Sequence, residues 1–104
     1  MPLKNERGGI LNNDTLMTLL KHDLELLDSS RDAYLNQLLK EAKGLMENEG
    51  ITFPTVLDEV YGGAIVRYAA FLYRYRANPD FKMPRHLRFS LNQLILKNGG
   101  AKNV

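Results

Sequence analysis

No cysteine occurs among the 104 residues. That excludes a disulfide scaffold, a thiolate zinc site and a cysteine nucleophile at once, and it fits a reducing compartment. No apolar run approaches the roughly 20 residues that a membrane span needs. The N-terminal stretch, which includes Gly8-Gly9, has no apolar core of signal-peptide length. A soluble protein made in the cytoplasm is expected, with no membrane partner. Histidine is scarce too: His22 and His86 are the only two. His86 has no carboxylate or second histidine three or four residues away and His22 has Glu25 alone, short of a metal-binding pattern, so surface or capping roles are expected. Ser29, Ser30 and Ser90 lack a nucleophile-elbow setting, and the three Gly-Gly pairs have no phosphate-loop spacing. No catalytic, cofactor-binding or metal-ligating residue is expected, and no enzyme activity.

What the chain does contain is helical patterning and unevenly placed charge. A chain of this length makes one domain with a modest core. The net charge of +2 conceals an asymmetry: residues 1–52 hold six basic and nine acidic groups, residues 53–104 eight basic and three acidic ones. A basic C-terminal half can meet nucleic acid or the acidic half of a second copy. It can also be an ordinary solvated surface.

Four helices are expected. Residues 1–12 lack periodicity and read as a flexible arm. Asn12, Asn13 or Asp14 caps a first helix carrying Leu16, Met17, Leu19 and Leu20, which ends near His22 to Leu24. Asp28-Ser29-Ser30 offers the next cap, with Asp32 in the first turn. Tyr34, Leu35, Leu38, Leu39, Ala42, Leu45 and Met46 then form an apolar stripe, and Gly50 supplies the stop. A third helix is expected from Thr55 or Val56 to Ala77, with Leu57, Val60, Tyr61, Ala64, Ile65, Tyr68, Ala69 and Leu72 facing the core. Gly62-Gly63 within it implies close packing or a kink. Asn78-Pro79 ends it. Pro84 opens a fourth helix with Leu87, Leu91, Leu94 and Ile95 on one side, and Gly99-Gly100 closes it. The domain spans 13–97, followed by a flexible tail over 98–104. The fold class is therefore all-α, a small bundle of about four helices.

The segment from Tyr68 to Leu96 joins aromatic residues and arginines without catalytic machinery, the composition of a protein contact surface. Tyr61 and Tyr68 belong to the core stripe, but Tyr73 and Tyr75 cannot both do so. At least one is expected to meet another chain or the N-terminal arm. Arg67 and Arg74 share one side of the third helix, with Arg76 rotated nearby. Arg85 and Arg88 share a face of the fourth. Each of these arginines can keep a helix solvated, pair with carboxylates of another subunit, or bind phosphate.

The order of these motifs resembles a known family. Residues 29–35 open a long helix ending at Met46-Glu-Asn-Glu-Gly-Ile51. Ile65-Val-Arg-Tyr-Ala-Ala-Phe-Leu-Tyr-Arg-Tyr-Arg76 and Lys82-Met-Pro-Arg-His-Leu-Arg-Phe-Ser-Leu-Asn-Gln-Leu94 follow. Over about residues 14–96 this is similar to the head-tail connector, or head-completion adaptor, family of tailed bacteriophages and prophages. The resemblance implies an all-α structural protein without a cofactor, forming a ring of twelve copies in the virion. The ring would lie beneath the portal and extend the channel through which double-stranded DNA passes without sequence-specific binding. Its partners would be its own copies, the portal protein, and a head-closure (stopper) or tail-completion protein. Arg67, Tyr73, Arg74, Tyr75, Arg76, Arg85, Arg88 and Phe89 would serve subunit or portal contacts. The alternative reading is a small helical DNA-binding regulatory protein that uses the basic third and fourth helices.

Overall fold

In the computed structural model, residues 12–102 are described, with side chains through 97. They form four α-helices and no strand: α1 (Asn13–Leu24), α2 (Asp32–Asn48), α3 (Glu59–Ala77) and α4 (Arg85–Lys102). The expected all-α class is what the chain adopts. The arm expected over residues 1–12 lies outside the described residues except for Asn12, and residues 103–104 of the expected tail also lie outside them.

Helix boundaries follow from local chemistry. The Asn12 side chain accepts the Thr15 N–H at 2.9 Å and starts α1. Where α1 stops, Leu26 N–H bonds to the Lys21 carbonyl and Glu25 N–H to that of His22. This reverse turn requires a left-handed residue, and Glu25 takes it at φ 59°. The same pair of bonds ends α2, where Ile51 and Gly50 bond back to Met46 and Glu47. There Gly50 adopts φ 107°, confirming it as the stop.

Other boundaries differ from expectation. Asp28 does not cap α2. Its carboxylate accepts both the N–H and the hydroxyl of Ser30, closing a local turn, and α2 begins after Arg31, which makes no side-chain cap bond. Those two bonds hold the Asp28 carboxyl below the usual carboxylate range. Helix α3 starts at Glu59, later than expected, because the Asp58 carboxylate takes the Tyr61 N–H at 3.0 Å. Apolar periodicity reached back to Leu57, but the cap decides the first turn. Pro84 stands one position outside α4, its carbonyl receiving the first helical bonds from Leu87 and Arg88. Gly99-Gly100 does not end α4, which continues to Lys102. A helical glycine weakens a helix without breaking it, because its N–H remains available.

The core gathers around α3, which packs on each of the other three helices. Leu16 and Leu20 of α1, Leu35, Leu38, Leu39, Ala42 and Met46 of α2, and Leu87, Leu91 and Leu94 of α4 are buried against it. Tyr61, Ala64, Ile65, Tyr68, Ala69 and Leu72 are buried as expected, and so are Val66 and Ala70. A central helix with neighbours on several sides buries more than one stripe. Four residues placed on core stripes are instead exposed: Leu19 and Tyr34 at 40% and 39%, Leu45 at 38% and Val60 at 59%.

Candidate interaction surface

The basic and aromatic residues of α3 and α4 divide into two groups once their partners are seen. Three arginines are tied to carboxylates of their own chain. Arg74 donates to the Asp23 carbonyl at 3.1 Å and stands 3.6 Å from its carboxylate, joining α3 to the end of α1. Arg76 reaches Glu41 of α2 at 2.6 Å. Arg88 forms a fork on Glu49, with Nη1 to Oε1 at 2.8 Å and Nη2 to Oε2 at 3.1 Å. Hydrogen bonding to these carboxylates raises the affinity of Arg76 and Arg88 for their protons above the ordinary guanidinium value.

The Arg88 fork is the centre of a small network. The Tyr68 hydroxyl of α3 approaches Glu49 Oε2 at 3.5 Å, and Arg88 also donates to Asn92 at 3.2 Å. Residues just after α2, within α3 and near the start of α4 therefore meet at one point. Burial, then the adjacent Glu49 charge, pushes the Tyr68 phenol above its usual range. The network fixes the setting of α4 on the bundle, and so the direction of the face that α4 turns outward.

The tyrosines are also accounted for within the chain. Tyr73 is half-buried beside Tyr34, with ring centroids 6.0 Å apart. Phe71 gathers Tyr68, Tyr75 and Phe81 at 6.2, 5.7 and 5.9 Å. Tyr75 keeps 43% of its surface open, so it has an internal neighbour and an outward face. The expectation that one of Tyr73 and Tyr75 lies off the core stripe matches Tyr75.

Arg67, Arg85 and Phe89 form the second group. Arg67 is exposed, lies along Gly63, and borders a cavity of about 230 Å³ with Phe71, Pro84 and Leu87. Arg85 is exposed and has no partner among the described residues. Phe89 is 62% exposed, and Leu96, two helical turns further on, is 67% exposed. Arg85, Phe89, Asn92 and Leu96 follow i, i+4, i+7 and i+11 spacing, so they share one side of α4. The core side carries Leu87, Leu91 and Leu94. Leu96 escaped the sequence reading because it adjoins that apolar stripe. Its seven-residue spacing from Phe89 was the available signal.

Among the described residues no group of three or more histidine, aspartate or glutamate side chains is placed to hold a metal ion. No described helix is long and apolar enough to cross a membrane. The fold and this surface together define a small all-α protein with an outward apolar helix face. Comparisons with protein-family models, with curated proteins and with solved structures found no match for the chain.

Proposed function

We propose that this chain is a structural assembly protein of the head-tail connector type, not an enzyme. It would form a ring beneath a phage portal in the virion, extend the DNA channel, and receive a stopper or tail-completion protein. The motif order over residues 14–96 supports this reading. The structural observation that carries it is the outward side of α4, where Phe89 and Leu96 stand open on the same side as Arg85, which has no partner among the described residues. Large exposed apolar groups beside arginine are what protein interfaces place at their centres.

Internal pairing weakens the DNA-regulator alternative. Of the five arginines that would carry it, Arg74, Arg76 and Arg88 already meet carboxylates, leaving Arg67 and Arg85. Neutralised cations release fewer counterions on binding DNA. Light scattering alone and with a portal protein tests the assembly reading: a mass well above the monomer's, or co-assembly with the portal, is expected. A strict monomer that ignores the portal refutes it. Duplex binding with a steep salt slope, reduced by Arg85→Ala, would favour the regulator.

A further inference from the structure

Gly44 sits inside α2 without an internal reason to be glycine. Its φ is not positive, and a Cβ added there would meet nothing within 4 Å. Glycine is the poorest helix former after proline, so an open mid-helix position is where alanine or a charged residue stabilises most. Nothing within the described chain uses the space. The glycine also lies in a shallow, wide-open groove of about 490 Å³ with Glu41, Leu45, Glu47, Asn48 and Arg76. Leu45 is 38% exposed there. Arg76 is paired to Glu41, so the uncompensated charge is Glu47, which has no partner among the described residues.

The outward side of α4 has the complementary character. It projects Phe89 and Leu96, and its charge without a partner among the described residues is the positive Arg85. We propose that the α2 groove around Gly44 receives the outward face of α4 from a second copy of this chain. Phe89 seats over Gly44 and against Leu45, and Arg85 faces Glu47. Missing side-chain bulk at Gly44 leaves room for the Phe89 ring to lie against the α2 backbone. Two different surfaces meet, so the contact is head-to-tail. Repeated, it generates a closed ring or an open filament, unlike a two-fold contact that stops at a dimer. The inference rests on the assembly reading above and assigns its contact surfaces.

The cysteine-free chain permits a direct test. Leu45→Cys and Phe89→Cys chains are prepared separately, mixed at high concentration and oxidised. Disulfides are expected in the mixture and not within either variant alone. Homotypic products, or none, overturn the inference. Gly44→Ala is expected to raise the melting temperature by about 4 °C or more through helix propensity. It should nevertheless reduce the mixed product about fivefold or more. A rise in both quantities would mean that the glycine is unrelated to docking. Glu47→Arg and Arg85→Glu each weaken cross-linking, and their combination across the joint restores it if the pairing is right. If wild-type chains assemble by light scattering while the two cysteines do not pair, the interface is wrong and the ring reading stands. If the chain carrying both cysteines gives an open ladder that never closes, the interface stands and the ring fails. A chain that assembles neither alone nor with a portal protein, and does not cross-link, refutes both.

Discussion

The Arg88–Glu49 fork is the polar contact on which the setting of α4 most depends, and its removal has a calculable effect. A hydrogen bond to a charged group contributes about 1.5–3 kcal/mol when shielded. An exposed ion pair contributes only about 0.2–1 kcal/mol. Here the side chains are 40% and 27% exposed, between those limits. Both guanidinium nitrogens engage, at 2.8 and 3.1 Å, which lifts the pair above the exposed regime, while solvent access keeps it below the shielded one. A coupling energy of about 1–1.5 kcal/mol is expected from the cycle of Arg88→Ala, Glu49→Ala and the double variant. With about 4–8 °C per kcal/mol for a domain of this size, that coupling corresponds to roughly 4–12 °C. Urea denaturation at low protein concentration gives the cycle on monomers. Moderate salt should leave most of the coupling, since the pair is only partly open to solvent. A coupling below about 0.3 kcal/mol would refute the reasoning, because it would make the fork worth no more than the weakest exposed ion pairs. Lost coupling should also disorder the direction of α4, visible as faster amide exchange in residues 85–92.

Three further outcomes are expected. Gly50→Ala should lower stability by about 1–2 kcal/mol in urea titration, because φ 107° is strained for a residue with a Cβ; an unchanged midpoint would contradict that backbone. Leu91→Ala removes a fully buried side chain between α4 and α3 and should cost about 2–5 kcal/mol, whereas Phe89→Ala, on the opposite side of α4, should stay within about 0.5 kcal/mol; equal costs would misplace the helix. Since the folded Tyr68 phenol is raised above the unfolded value of about 10, its contribution is fully present below that pH and is lost as pH rises through the folded value; Tyr68→Phe should flatten this alkaline loss, and a curve identical to wild type would exclude it.

The amino-acid order by itself determined the helices and most of their ends. Leu16 and Leu20, Leu35 through Met46, and Leu87, Leu91 and Leu94 recur at the spacing of one helix face, and hydrophobic burial leaves such a pattern few other solutions. Asn12 and Gly50 marked boundaries because capping oxygens and positive φ are properties of single residues and their immediate neighbours. Asp28 and Asp58 show where that logic needed more: both carry capping side chains, but only Asp58 caps a helix, since Asp28 is consumed by Ser30. Tertiary structure alone decided which arginines are available to a partner. Glu41 lies 35 residues from Arg76, Glu49 39 from Arg88, and Asp23 51 from Arg74. No local pattern connects such pairs, because charge pairing across a bundle depends on how the helices cross. Packing likewise exposed Phe89 while burying Leu87, and left the space beside Gly44 open. The sequence wrote the charges and the apolar groups; the crossing of α2, α3 and α4 sorted them into those that hold the bundle together and those left facing outward.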